Sequence, residues 1–162
     1  MSIERKAIMT NLVLYDSQFG NTEKIAQAIG RGISGDVQVL PVKDTGNIAW
    51  SELKLLVVGS PTQGGRATPM LQKVFETIPA NGLQGVRVAA FDTRFDEAKQ
   101  SFALKLLMKT IAYAAEKIAK TLQAKGGTLA APPEAFVVTG KEGPLAAGEL
   151  ERAEQWGASL MH

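Results

Sequence analysis

The chain has 162 residues, 45% of them hydrophobic, and a mean hydropathy near zero, which fits one globular domain over residues 1–162 with a sizeable core. It has no cysteine and its one histidine is the last residue, so disulfides and thiolate metal sites are excluded and histidine catalysis is not expected. The net charge of +2 is scattered over alternating basic and acidic residues, and no long apolar segment or signal-peptide pattern occurs, so we expect a cytoplasmic protein with neither a nucleic-acid partner nor a membrane span.

The first predicted elements, after a loose polar tail over residues 1–7, are a buried strand and a helix. Residues 9–15 are mostly apolar, which is typical of a strand with both faces covered. Residues 21–33 predict an amphipathic helix that ends at Gly35, because isoleucine recurs there at every fourth position.

The loop between this strand and this helix has the features of a phosphate-binding turn. Such a loop presents unbonded backbone N–H groups and the positive end of the helix dipole. Ser17, Asn21 and Thr22 add short hydrogen-bond donors, and Gly20 lets the backbone approach an anion closely. The alternative is a helix that is capped by one of these polar side chains and binds no ligand.

The middle of the chain continues the alternation of strands and helices. Residues 37–42 alternate between apolar and polar and contain a proline, which predicts an edge strand, whereas residues 44–52 form a short helix or a loop. An apolar run over residues 55–59 predicts another buried strand. A Thr-Pro pair at residues 68–69 predicts the N-cap and first position of a helix. The inward residues of that helix are Leu71, Val74, Phe75 and Ile78.

The next strand is predicted over residues 86–91, and a long connection over residues 96–108 follows it. The apolar part of that connection extends the next helix into the core, or it forms a lid or a self-association surface of a homo-oligomer. The helix ends near Gly126, a C-terminal cap. Its inward residues are Ile111, Ala114, Ala115, Ile118 and Leu122.

The last two predicted elements are an interrupted strand and a helix. Residues 128–131 and 136–138 form one strand that is broken by two prolines. The final helix has one apolar face, which consists of Leu150, Ala153, Trp156 and Leu160. Alternating strands and helices predict an α/β protein, a parallel sheet between two helix layers, with five strands in the order 2-1-3-4-5 because the proline-containing strand belongs at an edge.

Three polar loops are expected to meet at one edge of this sheet. Residues 16–22, 60–68 and 92–95 all follow the carboxyl ends of predicted strands, where ligands of such sheets bind. A phosphate site flanked by two further loops suits a phosphorylated planar ring.

These loops resemble the flavin-binding loops of the flavodoxin family. Ser17-Gln18-Phe19-Gly20-Asn21-Thr22 is similar to the flavodoxin phosphate loop, in which a hydroxyl residue comes first and Gly-x-Thr comes last. Residues 59–65 resemble the second flavin loop and residues 91–94 the third. The resemblance extends from Asn11 to about Leu160 and implies a flavodoxin-like three-layer α/β/α sandwich with bound flavin mononucleotide (FMN).

The resemblance also implies roles for individual residues. Those that would hold the phosphate are Ser17, Gln18, Gly20, Asn21 and Thr22. Those that would contact the ring on one side are Pro61, Thr62, Gln63 and Gly64, with Ser60 near the ribityl chain. On the other side they are Thr93, Arg94 and Phe95. Gly64 and Gly65 either permit a peptide flip beside the flavin N5 or only close a tight loop.

Two features depart from the best-known flavodoxins. The second and third loops lack the Trp and Tyr that stack on the ring there, so Phe19, Phe95 or an arginine (Arg66 or Arg94) would stack instead. The sequence pI of about 8.9 and the two arginines predict a higher flavin potential than in those acidic proteins. The alternative is that these arginines are surface charges or pair with Asp92 or Asp96.

Three functions fit these observations. The first is a redox protein that carries electrons between redox partner proteins. The second is an oxidoreductase of the NAD(P)H:quinone or protoporphyrinogen-oxidase kind that acts on a small quinone or nicotinamide substrate. In that enzyme Arg66 or Arg94 would bind an acidic substrate or the phosphate of a nicotinamide nucleotide. The third is a phosphorylation-controlled receiver domain, which we disfavour because Gly59-Ser60 occupies the place of the acceptor aspartate.

Overall fold

The computed structural model describes residues 11–62, 67–95, 113–140 and 142–161, in which strands and helices alternate. The strands are β1 (Asn11–Tyr15), β2 (Val37–Pro41), β3 (Leu55–Pro61), β4 (Arg87–Phe95), β5 (Thr128–Leu129) and β6 (Glu134–Val138). The helices are α1 (Asn21–Gly32), α2 (Pro69–Glu76), α3 (Ala114–Ala124) and α4 (Glu149–Ser159), with 3-10 turns at Val42–Asp44 and Trp50–Glu52. The predictions for residues 1–10 and 96–112 lie outside the described residues.

The strands form one parallel sheet in the order β2-β1-β3-β4, with β5 and β6 both paired to β4. Leu129 lies opposite Val88 and Glu134 lies opposite Phe91, so four residues of the outer strand span the two residues 89 and 90 of β4. β5 and β6 are therefore two parts of one strand that the prolines interrupt. The predicted order 2-1-3-4-5 is confirmed, with Pro41 on an edge strand.

Two hydrophobic layers cover the two faces of the sheet. Leu12, Leu56 and Val88 face one layer, to which α2 and α3 contribute Leu71 and Ile118. On the other face, α1 and α4 pack against the alternate residues of the same strands, including Val13, Val57 and Phe91. Because each central strand is covered on both sides, its sequence is an apolar run and not an alternation. The predicted three-layer architecture is confirmed.

Helices α1 and α4 touch backbone to backbone through glycines. A Cβ atom added at Gly32 would lie 2.0 Å from the Glu154 carbonyl oxygen, and one at Gly157 would lie 2.3 Å from that of Ile29. Any larger residue at either position would force the helices apart. This contact fixes α1 against the rest of the fold and was not predicted from the sequence.

The predicted inward face of α4 is wrong at Leu150. Its side chain is exposed, whereas the neighbouring Glu149 is buried. Glu149 accepts hydrogen bonds from Arg152 Nε at 2.8 Å and from the Val137 N–H at 2.6 Å. The hydrogen bond from Arg152, followed by that from Val137, holds the pKa of this carboxyl below its ordinary value. Because these partners satisfy its charge, the first turn of α4 presents a glutamate and not a leucine to β6.

Strand β4 is longer than predicted. Residues 92–95 were expected in a loop, but Asp92 and Thr93 continue the strand, opposite Ser60 and Pro61 of β3. The same residues pair with β6 on their other side. The backbone of this segment is therefore held from both sides, which outweighs the loop preference of its polar residues.

Smaller predictions agree with the structure. Thr68 is the N-cap of α2 and accepts from the Leu71 N–H at 3.4 Å, and Gly126 follows α3 with a φ of 106°. Trp156 packs edge-on against Phe91, with ring centroids 6.2 Å apart. Among the helices of the described ranges, none combines the length and the apolar character needed to cross a bilayer.

Candidate functional site

The three predicted segments meet at the carboxyl edge of the sheet, where backbone hydrogen bonds join them. The Asp16 N–H donates to the Gly59 carbonyl at 3.1 Å and so links the end of β1 to β3. The Thr62 N–H donates to the Thr93 carbonyl, also at 3.1 Å, and links the end of β3 to β4. The ends of β1, β3 and β4 therefore lie side by side at this edge of the sheet.

The N-terminus of α1 has backbone donors that the helix itself does not use. Gly20 is the N-cap, with a φ of 93°, and it supplies no side chain to cap the helix. The Gly20 carbonyl accepts from the Lys24 N–H at 3.1 Å, so the N–H groups of the three residues between them lie in the part of the turn that lacks intrahelical acceptors. A Cβ atom built on Gly20 would meet nothing within 4 Å, so the space beside the turn is open. These features fit a phosphate group.

The loop before α1 is held in shape by its own polar side chains. The Ser17 hydroxyl oxygen accepts from the Gly20 N–H, and Asp16 Oδ1 accepts from the Ser17 N–H, both at 3.0 Å. The Thr68 hydroxyl donates to Asp16 Oδ2 at 2.5 Å and connects the loop to α2. From the sequence, Asp16 was expected only as a loop residue. Its position directly after a buried strand was the available signal for this role.

Other residues of the phosphate-loop motif differ in their surroundings. Asn21 is buried, and the turn after β6 lies against it, since a Cβ atom at Gly143 would be 2.7 Å from Asn21 Oδ1. Gln18 is exposed, and Phe19 is 44% exposed.

The rim of the site carries apolar surface. Met70, in the first turn of α2, is 50% exposed, and together with Gln18 it lines a groove of about 450 Å³.

The hydroxyl groups of Thr22 and Thr93 lie 2.9 Å apart beneath this surface. Thr22 belongs to the first turn of α1 and is 2% exposed, whereas Thr93 belongs to β4 and is 6% exposed. This hydrogen bond joins the phosphate-loop segment to the third segment, 71 residues later in the chain.

The second segment is closed by Ser60, which is fully buried. Its hydroxyl oxygen accepts from the Thr68 N–H at 3.2 Å and its proton is donated to the Pro61 carbonyl at 2.8 Å. Pro61 and Thr62 are half-buried at the rim, and the Thr62 hydroxyl accepts from the Ala114 N–H at 3.3 Å. The predicted ring contacts Gln63, Gly64 and Gly65, and also Arg66, lie outside the described residues.

The third segment contains a buried ion pair. Asp92, which is fully buried, accepts from Arg94 Nε at 2.8 Å and from Arg94 Nη2 at 2.6 Å. It also accepts from the Ala115 N–H at 2.9 Å, in the first turn of α3. The Arg94 guanidinium stacks on the Tyr113 ring, 3.3 Å from its centroid. Arg94 thus pairs with Asp92, which was one of the two alternatives, and its charge is compensated locally. Tyr113 was not among the site residues predicted from the sequence.

Tyr15 ends β1 below the site. Its hydroxyl donates to Glu23 Oε2 at 3.2 Å, and burial, followed by the negative charge of Glu23, raises the pKa of Tyr15 to about 12. The side chain is therefore neutral at physiological pH. Within the described ranges, no group of three or more His, Asp or Glu side chains is arranged to hold a metal ion.

Comparison with models of protein families gave a match over most of the chain. The family model described as a flavodoxin domain matches residues 12–131. Comparison with the curated proteins gave no match.

Similar solved structures include oxidised flavodoxin 1 from Bacillus cereus, at 18% identity and a TM-score of 0.71, covering 94% of this chain and 97% of that one. A flavodoxin from the domain Archaea has 24% identity and a TM-score of 0.67, covering 95% of this chain and 100% of that one. The two-electron reduced flavodoxin of Megasphaera elsdenii has 18% identity and a TM-score of 0.66, covering 94% of this chain and 100% of that one. At these identities the structures show a shared fold.

Proposed function

The chain belongs to the flavodoxin family, and on that premise we propose that it binds FMN and carries electrons between redox partner proteins in the cytoplasm. The observation that supports FMN binding most directly is the N-terminus of α1. Its donors have no side-chain cap, the N-cap Gly20 leaves open space beside them, and the buried Thr22 lies in the same turn. A dianionic phosphate satisfies these donors and interacts favourably with the helix dipole.

The residues would divide the work of binding along the carboxyl edge. The N–H groups of the first turn of α1 would hold the phosphate together with the hydroxyls of Ser17 and Thr22. The ring would lie between the segments that follow β3 and β4, which the hydrogen bond from Thr62 to Thr93 keeps in register. When bound, FMN supplies the reversible transfer of electrons, and the protein orients it and excludes water from part of it.

Two buried or half-buried carboxylates at this edge favour a carrier over an enzyme that uses acid–base chemistry. Asp16 is engaged by the Ser17 N–H and the Thr68 hydroxyl. Asp92 is engaged by Arg94 and by the first turn of α3. Both carboxylates therefore have a structural role, and Arg94 is paired with one of them. Electron transfer through an exposed ring edge requires neither an acid–base group nor an arginine that binds substrate.

A protein partner is favoured by the apolar rim. Phe19 and Met70 are both substantially exposed next to the proposed cofactor. Exposed apolar side chains that surround a redox centre suit transient docking of another protein, which brings the two centres close enough for electron transfer.

The test is a visible absorption spectrum of the purified protein after incubation with FMN and gel filtration, followed by anaerobic addition of NADPH. We expect a yellow complex with one FMN per chain. NADPH alone leaves it oxidised, and a catalytic amount of an NADPH-dependent flavodoxin reductase bleaches it. Rapid bleaching by NADPH alone would replace the carrier with an NADPH-dependent oxidoreductase. A colourless protein after gel filtration would overturn FMN binding.

A further inference from the structure

We propose that Thr93 is a positioning residue that directs the Thr22 hydroxyl proton at the FMN phosphate; this inference rests on the proposed FMN binding. The observation behind it is the 2.9 Å hydrogen bond between the two hydroxyl oxygens. Both side chains are buried, so water does not compete for this contact. The resemblance to flavodoxins placed Thr93 beside the ring, whereas the structure joins its hydroxyl to the phosphate-loop helix.

The backbone of Thr93 is held on both sides by neighbouring strands. It lies within β4, opposite Pro61 on one side and Phe136 on the other. Its carbonyl also accepts from the Thr62 N–H at 3.1 Å. Threonine is branched at Cβ, so its hydroxyl has few rotamers available on a strand that is fixed from both sides. Thr93 thus offers a fixed hydroxyl to the first turn of α1.

Counting protons decides the direction of the bond when an anion is present. Each hydroxyl has one proton and two lone pairs, so without a ligand either threonine can be the donor. A phosphate oxygen accepts only, and it needs the proton of Thr22. Thr93 must then donate to Thr22 Oγ1. The reverse direction would point the lone pairs of Thr22 at a dianion, which is repulsive.

The resulting series of hydrogen bonds runs from Thr93 through Thr22 to the phosphate, and each bond polarises the next. Such cooperative bonds strengthen one another where the surroundings exclude water, and most of all when the last acceptor is charged. Through these hydrogen bonds the Thr93 hydroxyl adds to the affinity for a ligand that carries a phosphate. Thr93 also belongs to the third segment, which flanks the ring. The same hydrogen bonds therefore couple binding of the phosphate to the position of that segment.

The experiment compares FMN with riboflavin, which has the same ring and ribityl chain but no phosphate. Dissociation constants are measured by quenching of flavin fluorescence for the full chain and for Thr93→Val, which keeps the branched shape and removes the hydroxyl. We expect the Kd for FMN to rise about three- to tenfold, as for the loss of one hydrogen bond to a buried group, and the Kd for riboflavin to stay unchanged. Thr93→Ser restores FMN affinity. Thr128→Val, at the other end of the sheet, changes neither constant.

A double variant distinguishes a role of Thr93 through Thr22 from a direct contact between Thr93 and FMN. If Thr93 acts through Thr22, Thr22→Val and the double variant Thr22→Val/Thr93→Val have the same Kd for FMN, because the second substitution has nothing left to remove. Should Thr93→Val fail to fold, as judged by circular dichroism, Thr93→Ala with Thr93→Ser as its reference gives the same comparison.

Two results would overturn the role of Thr93 while FMN binding stands. One is an equal loss of affinity for FMN and riboflavin, which indicates a structural role. The other is no change for either ligand. Failure of the unsubstituted chain to bind FMN would instead remove the proposed function, and the role of Thr93 with it.

Discussion

Replacing Arg94 with methionine tests the buried ion pair of the third segment. Methionine keeps an apolar stem that can pack on Tyr113, but it removes both hydrogen bonds to Asp92. Asp92 is fully buried and, among the residues that the structure describes, would keep the Ala115 N–H as a partner. Removing one member of a buried pair destabilises a protein by about 3–5 kcal/mol. The Arg94 side chain is 16% exposed, so water partly reaches the gap, and we expect the lower end, about 3 kcal/mol.

Substitution of the other member of the pair, Asp92→Asn, is predicted to lower the free energy of unfolding by less. Arg94 can then turn toward solvent through its exposed side, and the asparagine oxygen still accepts from the Ala115 N–H. We expect a loss of about 1.5–2 kcal/mol, at the lower end of the range for hydrogen bonds to a charged group. In the Asp92→Asn background, Arg94→Met should add about 2 kcal/mol less than it costs in the unsubstituted chain, because the two residues are directly coupled.

The measurement is the free energy of unfolding in urea, followed by circular dichroism and tryptophan fluorescence. The matched control is Arg31→Met, which removes an exposed ion pair with Glu154 at 3.6 Å and should cost no more than about 0.5 kcal/mol. If Arg94→Met costs as little as Arg31→Met, the buried pair does not stabilise the site. Arg94 would then be available to the cofactor or a substrate, contrary to the proposed carrier function.

Three further predictions concern the helices around the site. Gly157→Ala places a Cβ atom 2.3 Å from a carbonyl oxygen of α1 and should destabilise the fold by about 1–3 kcal/mol despite the better helix propensity of alanine, measured against the exposed control Gln155→Ala. Arg152 lowers the pKa of Glu149, so the stabilisation is present above the ordinary glutamate pKa and is lost as the pH falls through the lowered one. Glu149→Gln should therefore unfold at a lower urea concentration than the unsubstituted protein at pH 7. The two proteins should be equally stable at a pH below the lowered pKa of Glu149. Thr68→Ala removes the cap of α2 and the hydrogen bond to Asp16, and should cost about 1–2 kcal/mol in urea unfolding, whereas Thr68→Ser should keep most of the stability.

The sheet and the meeting of three segments could be predicted from local patterns. Apolar runs identified the central strands, the proline of β2 identified an edge, and parallel topology placed the following loops together. Thr68 and Gly126 were recognisable because the ends of helices have short-range sequence preferences. These features depend on neighbouring residues in the chain and are therefore visible in it.

The contacts that shape the site depend on residues far apart in sequence. Aspartate is common in loops and rare in buried strands. Asp92 can continue a buried strand because it pairs with Arg94 and with the first turn of α3. Gly32 and Gly157 resemble helix breaks until their two helices are brought together. The hydrogen bond between Thr22 and Thr93 joins residues whose proximity no local pattern encodes.

The central claim is that FMN binds at the carboxyl edge of the sheet with its phosphate at the N-terminus of α1. A titration of ¹⁵N-labelled protein with FMN, followed through backbone amide chemical shifts, tests it residue by residue. The account predicts saturation at one FMN per chain, with the largest shifts at Gly20, Asn21, Thr22 and Thr62 and little change at Gly35 and Lys54 on the opposite edge. Shifts concentrated on that opposite edge, or none at saturating FMN, would contradict it.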